Sequence, residues 1–182
     1  MAGVLVLVVG PSGAGKDTLI EAAKTALAED TRFVFPRRVV TRTAIAALED
    51  HESVSPGQFA LHRDNGAYAL SWDAHGLSYG LPASLLDDLG AGRVVVCNGS
   101  RAMVAAAKAK FPGTQVLLIE ANAAVRARRL AGRGRETGAQ IATRLGREAP
   151  EVPPGAIRID NSGEVEDGIA RFVSALKAIG SD

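Results

Sequence analysis

A run of six aliphatic residues, Val4–Val9, leads directly into a segment dominated by glycine and other small residues. The nine residues of that segment are Gly10, Pro11, Ser12, Gly13, Ala14, Gly15, Lys16, Asp17 and Thr18. An uninterrupted aliphatic run is typical of a strand buried on both faces of a parallel sheet. After such a strand, small residues let backbone N–H groups converge on phosphate oxygens, a helix start favours negative charge, and a lysine reaches the outer phosphates. The segment therefore predicts a nucleoside triphosphate site, and its flanking strand and helix patterns favour this interpretation over a plain glycine-rich turn.

Apolar runs of strand length alternate with helical patterns along the rest of the chain. The further strand-like runs are Arg38–Thr41, Arg93–Cys97, Gln115–Ile119 and Ala156–Ile159. Helical spacing of apolar residues occurs in Asp17–Leu27, Pro82–Leu89, Arg101–Lys110, Ala123–Leu130, Ala139–Arg147 and Val165–Ile179. This alternation predicts an α/β fold in three layers, with helices on both faces of a central parallel sheet. The 182 residues are expected to form a single domain.

Residues 43 to 80 do not follow this alternation. Two short pieces, Phe59–Leu61 and Ala67–Leu70, flank the turn-forming sequence Asp64-Asn65-Gly66. Such a turn between alternating pieces indicates a β-hairpin. We expect the segment to be a small insertion on the sheet.

The charge balance excludes several classes of partner. Lysine and arginine number 21 against 20 aspartate and glutamate residues, which gives a net charge of +1. A nearly neutral chain has no field that attracts nucleic acid or anionic lipid. The longest apolar run is far shorter than the roughly 18 residues of a membrane span, and the start lacks the pattern of a signal peptide. The sequence therefore predicts a cytoplasmic protein that acts on small molecules, and it leaves the oligomeric state open.

Cys97 is the single cysteine of the chain, so an internal disulfide is not expected. It ends an apolar run, which predicts a buried and unreactive thiol. The chain has no Cys and His spacing of the kind that holds structural zinc.

Arginine is concentrated in one part of the chain. Seven of the arginines lie within 22 residues, at positions 126, 128, 129, 133, 135, 144 and 147. The guanidinium group matches phosphate oxygens in shape, although a solvated helix face is the alternative interpretation. The glycine-interrupted stretch around Arg133 and Arg135 is expected to form a lid over residues 131 to 138. Arg133 and Arg135 would then stabilise the transferred phosphoryl group together with Lys16, which neutralises the β- and γ-phosphates.

The residue after the loop lysine is Asp17, where Ser or Thr is usual, and the hydroxyl comes one position later at Thr18. In the usual arrangement that hydroxyl and an aspartate on another strand hold Mg²⁺. The candidate second strand ends in Asn98 and offers no carboxylate. We therefore predict that Asp17, with Thr18, supports Mg²⁺; the alternative is that Asp17 only complements the helix dipole.

Several motifs resemble the guanylate kinase-like group of P-loop kinases over nearly the whole chain. They are the loop at 10–16, Thr41-Arg42, the stretch Trp72–Gly80, Arg133-Gly134-Arg135-Glu136, and Asp160-Asn161. Within that group the chain is most similar to the ribose 1,5-bisphosphate phosphokinase family. That closer match depends on Gly15-Lys16-Asp17 and Asn98-Gly99-Ser100-Arg101, where guanylate kinases differ.

The resemblance implies an enzyme that uses ATP and Mg²⁺ to convert ribose 1,5-bisphosphate to 5-phospho-α-D-ribose 1-diphosphate in phosphonate breakdown. It implies that the insertion at residues 43 to 80 contributes to an acceptor site, formed by Arg42, His75, Tyr79, Ser100 and Arg101. It also implies that Asp160 and Asn161 contact the adenine of ATP.

A nucleoside monophosphate kinase is the enzymatic alternative. Guanine recognition needs an acceptor for the base N–H groups, and guanylate kinases resemble Trp-Ala-Glu followed by His-Gly at this place. The present chain is one residue shorter there, without Glu, and Asp73 would serve only if the loop shifted. A non-catalytic binding module is a third interpretation, disfavoured because the loop and Lys16 are intact. Trp72 is expected to pack in the core rather than to stack on a ligand.

The lid hypothesis makes a kinetic prediction. Arg133→Ala and Arg135→Ala should each lower kcat much more than they weaken ATP binding, because their charge is used on lid closure. Steady-state kinetics and equilibrium ATP titration of both variants measure the two effects. An unchanged kcat in both variants would contradict the lid role.

Overall fold

The computed structural model of the chain describes residues 3–42, 51–74, 76–132 and 152–181. Its strands are β1 (Val4–Val9), β2 (Phe33–Val34), β3 (Arg38–Val40), β4 (His51–Ser53), β5 (Tyr68–Ala74), β6 (Leu77–Pro82), β7 (Val94–Asn98), β8 (Gln115–Glu120) and β9 (Ile157–Asp160). Its helices are α1 (Lys16–Ala26), α2 (Pro56–Asp64), α3 (Leu85–Gly90), α4 (Val104–Lys110), α5 (Ala123–Gly132) and α6 (Val165–Ile179). A turn of 3₁₀-helix, Arg101–Met103, precedes α4.

Within these residues the central sheet has the strand order β2-β7-β1-β8-β9, and all its pairs are parallel. Strand β1 lies in the middle, paired with β7 on one side and β8 on the other. The loop after β1 therefore begins at the carboxyl edge of the sheet, where ligands bind in open α/β folds.

Helices and the second sheet cover the two faces of the central sheet. On one face, Val6 and Val8 pack with buried residues of α1 and α6, including Leu19 and Phe172. On the other face, the alternate residues of β1 pack with α3, α4 and β6, for example through Leu81. Both clusters consist of fully or nearly fully buried side chains. The predicted α/β fold with a central parallel sheet is confirmed.

A second sheet, ordered β4-β3-β6-β5 in the described part of the chain, corrects two expectations. The run Arg38–Thr41 was expected in the central sheet, but Arg38–Val40 pairs with β4 and β6 in the second sheet. The central sheet instead contains the two-residue strand Phe33–Val34, which sequence analysis missed because two residues show no periodicity.

The predicted hairpin at Asp64-Asn65-Gly66 is wrong, because Phe59–Leu61 belongs to helix α2. The Ser55 side chain accepts from the Gln58 N–H while Gln58 accepts from the Ser55 N–H, and Pro56 occupies the first turn. This capping box outweighs the short alternating pattern. The hairpin lies further on, between β5 and β6, and pairs Ala74 with Leu77.

Other helix predictions shift at their starts. The predicted helix Pro82–Leu89 begins only at Leu85, since Pro82 ends β6. The predicted helix Ala139–Arg147 and most of the predicted lid lie outside the described residues. None of the helices that the structure describes is both long and apolar enough to cross a membrane.

Cys97 confirms the expectation of a buried thiol. Its side chain is fully buried in the core on the α3–α4 face, and burial raises the pKa of the thiol to about 12. At pH 8 only about one molecule in ten thousand would therefore carry the reactive thiolate.

We expect native protein to resist labelling by a thiol-specific disulfide reagent at pH 8 and to react with one equivalent after unfolding in guanidinium. The absorbance of the released thiolate measures both rates. Equal rates in the folded and unfolded protein would contradict the burial of Cys97.

Candidate active site

The glycine loop joins β1 to α1 and is shaped by close backbone approach. Gly15 caps α1 in the left-handed conformation, with a φ of 96°. A Cβ at Gly15 would lie 2.5 Å from the side-chain amide nitrogen of Asn161. At Gly10, a Cβ would collide with the backbone carbonyl of Ile119 in β8. Because Gly10 and Gly15 have no side chain, the loop can pack closely against β8 and Asn161. The same lack of side chains leaves the loop backbone accessible to phosphate.

Lys16 is the first residue of α1, and its side chain turns back over the loop. The Nζ atom donates hydrogen bonds to the carbonyl oxygens of Gly10, at 2.8 Å, and Pro11, at 3.3 Å. The ammonium group thus lies against the loop, and its predicted role on the β- and γ-phosphates stays a prediction.

Three side chains hold the loop from its outer side. Arg126 Nε donates to the carbonyl oxygen of Ser12 at 3.0 Å, and Arg129 Nη1 donates to that of Ala14 at 3.3 Å. The Asn161 side-chain amide donates to the same Ala14 oxygen at 2.8 Å. The carbonyl oxygens of Ser12 and Ala14 are therefore bonded to side chains from α5 and from the segment after β9, while the Ala14 N–H donates to the Pro11 carbonyl oxygen at 3.3 Å.

Arg126 and Arg129 are functional candidates that sequence reasoning did not single out. They lie three residues apart on α5, so they share one face of the helix. Burial lowers the pKa of each guanidinium from its usual value, with Arg128 adding repulsion at Arg129. The i, i+3 spacing within the arginine-rich segment was the available signal. Arg133 and Arg135, which were singled out, lie outside the described residues.

Asp160 and Asn161 follow β9 at the same edge of the sheet. Hydrogen bonds from the Ser162 hydroxyl, at 2.6 Å, and backbone N–H hold the pKa of Asp160 below its usual value. Asp160 is exposed, whereas Asn161 is 2% exposed and donates its N–H to the Glu120 carbonyl oxygen at 2.7 Å. The structure thus gives the Asn161 side chain a contact with the loop that sequence analysis did not foresee. The adenine contacts of both residues stay predictions.

The predicted acceptor residues come from two parts of the fold. Ser100 and Arg101 follow β7 and lie beside β1. The Ser100 hydroxyl is enclosed and has no hydrogen-bond partner among the described residues. Burial, then repulsion from Arg126, lowers the pKa of Arg101, which brings the acceptor side and the loop-holding arginines into one electrostatic environment.

Tyr79 lies in the second sheet, on β6. Its ring stacks on Trp72 of β5, with centroids 5.2 Å apart and planes inclined by 11°. The Arg38 guanidinium lies 5.6 Å from the centroid of the Tyr79 ring. Arg42 follows β3 two residues beyond Val40, which pairs with Tyr79. His75 is outside the described residues.

Asp73 faces away from this stack. Trp72 pairs with Tyr79 and Asp73 pairs with Ser78, so successive residues point to opposite faces of the sheet. Trp72 packs towards the core cluster, while Asp73 is exposed and accepts a 2.5 Å hydrogen bond from the Ser78 hydroxyl. Asp73 is therefore not placed to read a base held on the Tyr79 side.

The residues present fit Mg²⁺ held mainly by phosphates. Among the described residues there is no group of three or more His, Cys, Asp or Glu side chains that would hold a metal by themselves. Mg²⁺ in nucleotide sites needs only one or two carboxylates besides phosphates and water. Asp17 offers such a carboxylate in the first turn of α1, next to Lys16, and Thr18 is exposed one position further.

The glycine loop between the central strand of a parallel sheet and a helix defines a P-loop kinase fold. Guanylate kinase from Anaplasma phagocytophilum has the same fold, with a TM-score of 0.72 and 18% identity over 100% of this chain and 88% of that chain. No family model matches the sequence.

Sequence comparison resolves the family. The chain is 50% identical over 175 residues to ribose 1,5-bisphosphate phosphokinase of Acidiphilium cryptum, covering 96% of this chain and 93% of that protein. It is also 50% identical over 179 residues to the bifunctional ribose 1,5-bisphosphokinase-thymidine phosphorylase of Azorhizobium caulinodans, covering 97% of this chain. The chain spans only 26% of the length of that bifunctional relative. It belongs to the ribose 1,5-bisphosphate phosphokinase family.

The close approach at Gly15 makes a prediction about the loop. In Gly15→Ala, the new methyl group would collide with the Asn161 amide, and the alanine would have to adopt the left-handed φ of this position. This backbone strain costs about 1–3 kcal/mol. We expect ATP affinity to fall about 5- to 150-fold, measured by calorimetric titration.

Gly57→Ala is the matched control, since a Cβ there meets nothing within 4 Å. It should leave ATP affinity unchanged. Thermal unfolding of both variants confirms that the comparison is made on folded protein. ATP binding by Gly15→Ala at the affinity of the unchanged chain would contradict the proposed loop geometry.

Proposed function

We propose that this chain transfers the γ-phosphoryl group of ATP to the 1-phosphate of ribose 1,5-bisphosphate. The observation that carries the proposal is 50% identity over 96% of the chain to a phosphokinase of that name, together with an intact phosphate loop. The products are 5-phospho-α-D-ribose 1-diphosphate and ADP, and the expected setting is phosphonate breakdown in the cytoplasm. Only small-molecule substrates enter this proposal.

In the reaction, an oxygen of the acceptor 1-phosphate forms a bond to the γ-phosphorus, and the bond to the β–γ bridging oxygen breaks. The acceptor oxygen is already anionic, so no residue has to remove a proton. Catalysis then depends on position and on positive charge around the transferred group. A site rich in Lys and Arg can therefore carry the reaction, and no histidine has to act as a base.

Different residues bind the phosphates of ATP, bind the acceptor and stabilise the transferred charge. Loop N–H groups and Lys16 hold the β- and γ-phosphates, and Mg²⁺, when bound, neutralises phosphate charge. Arg101 lies in the 3₁₀ turn that follows β7 and binds the acceptor near the loop. Besides burial, repulsion from Arg126 contributes to the lowered pKa of Arg101, so the two guanidinium groups act on the same region. Arg133 and Arg135 add charge from the lid.

Arg42, Ser100, His75 and Tyr79 complete the acceptor site in this proposal. The enclosed Ser100 hydroxyl suits a sugar hydroxyl or phosphate oxygen, because an enclosed polar atom without a partner is costly. Asp160 and Asn161 contact adenine, Asp160 as an ionised hydrogen-bond acceptor.

A nucleoside monophosphate kinase is the second candidate, favoured by the fold that the chain shares with guanylate kinase. The orientation of Asp73 opposes it. Asp73 lies on the face opposite Tyr79 and is bonded to Ser78, so no carboxylate of β5 is positioned to accept from guanine.

The deciding experiment supplies MgATP with ribose 1,5-bisphosphate, with GMP, or with no acceptor, and identifies products by phosphorus NMR. We expect a new diphosphate pair on the sugar and ADP only in the first reaction. Formation of GDP in the second, without reaction of the sugar, would replace the proposal with the guanylate kinase alternative.

Two variants of the second sheet test the acceptor side. Tyr79→Phe keeps the ring stack and removes one hydroxyl, so the KM for the sugar acceptor should rise about 2- to 12-fold, the value of one hydrogen bond. Asp73→Asn is the control on the opposite face and should leave that KM unchanged. The reverse pattern would contradict the assigned orientation of the sheet.

A further inference from the structure

Asp17 and Asn98 lie in contact, although 81 residues separate them in the chain. The Asn98 side-chain nitrogen donates to Asp17 Oδ1 at 2.6 Å. Asp17 is in the first turn of α1, and Asn98 ends β7, the strand paired with β1. Val8 is directly opposite Asn98 in this pairing, and the Gly99 N–H donates to the Val8 carbonyl oxygen at 2.9 Å. The contact is therefore held by the central sheet beside the phosphate loop.

These two positions are those at which other phosphate-loop proteins place a hydroxyl on the loop helix and an aspartate on a second strand. In this chain the helix carries the carboxylate and the strand carries a neutral side chain. The total charge of the pair is unchanged, because one carboxylate remains. The carboxylate therefore lies on the helix instead of on the strand, and the side chains of Asp17 and Asn98 are hydrogen-bonded to each other.

The orientation of the Asn98 amide follows from its partner. A carboxylate only accepts hydrogen bonds, so the amide nitrogen must face Asp17 and the amide oxygen must face away. That oxygen, Oδ1, is enclosed and has no hydrogen-bond partner among the described residues. The bond from Asn98 thus leaves Oδ2 of the Asp17 carboxylate outside this contact, in the first turn of α1 next to Lys16.

We propose that Asp17 and Asn98 together hold the Mg²⁺ of MgATP, with the carboxylate of Asp17 as the protein anchor. Asn98 is a positioning residue: its amide nitrogen fixes Asp17 Oδ1 and so orients the carboxylate that would hold the metal. Oxygen ligands of this kind suit Mg²⁺, which keeps several waters in nucleotide sites. The proposal deepens the function above and depends on it only for the use of MgATP.

Metal binding is tested without an acceptor. Mn²⁺ replaces Mg²⁺, a non-hydrolysable ATP analogue saturates the protein, and the signal of free Mn²⁺ in electron paramagnetic resonance gives the metal dissociation constant. We expect Asp17→Asn to raise this constant at least about tenfold, since the isosteric amide removes the charge. Asp87→Asn, at an exposed carboxylate of α3, is the matched control and should leave it unchanged.

Asn98→Ala should raise the Mn²⁺ constant about 10-fold, as loss of a residue that orients a metal ligand commonly does. Thermal unfolding and affinity for the metal-free analogue establish that the variant retains its fold and its phosphate loop. The double variant Asp17→Ser with Asn98→Asp returns the charge to the strand, so it should bind Mn²⁺ more tightly than Asp17→Ser alone.

Unchanged Mn²⁺ affinity in Asp17→Asn would overturn the proposal and leave Asp17 as a complement to the helix dipole. Unchanged affinity in folded Asn98→Ala, or no gain in the double variant, would overturn the role of Asn98. All these measurements omit the sugar, so they stand apart from the acceptor assay. A chain that binds metal as proposed but does not phosphorylate ribose 1,5-bisphosphate would refute only the acceptor assignment.

Discussion

Two carbonyl groups of the phosphate loop, those of Ser12 and Ala14, take their hydrogen bonds from side chains outside the loop, and the arrangement of the site depends on how these bonds are supplied. A loop that directs its N–H groups inward has carbonyls that require other donors. Arg126 and Arg129 of α5 supply two of these bonds, and Asn161 supplies a third. The helix that leads to the predicted lid and the segment predicted to bind adenine are therefore both attached to the loop. The loop is thus the point where α5 and the segment after β9 meet.

Sequence reasoning succeeded where the determinants were local. The aliphatic run of β1 and the glycines after it identify a strand and a loop without knowledge of any other element, and the structure has both. It failed at Phe33–Val34, where two residues carry no periodicity, and at Phe59–Leu61, where the cap at Ser55 decides for a helix. The capping residues before this segment therefore predict its structure better than its short alternation of apolar residues does.

The contacts of the site were harder to predict because they join distant residues. The resemblance assigned Asn161 to an adenine contact, and nothing in the sequence indicated that this residue is nearly fully buried between the loop and α6. Gly168 of α6 provides the room, since a Cβ there would collide with the Asn161 oxygen. Similarly, Asp17 was predicted to compensate for the missing carboxylate of β7, but only the structure shows that it touches Asn98. Such pairings depend on strand order and register.

The stack of Trp72 and Tyr79 joins the core to the predicted acceptor site. Sequence analysis expected Trp72 to pack in the core rather than to stack on a ligand, and the side chain packs against the core while its ring stacks on Tyr79. Trp72 is also the single tryptophan of the chain. Indole emission from this protein consequently originates at one place, within stacking distance of a residue assigned to the acceptor. The fluorescence of Trp72 therefore reports on the predicted acceptor site, and no label has to be attached.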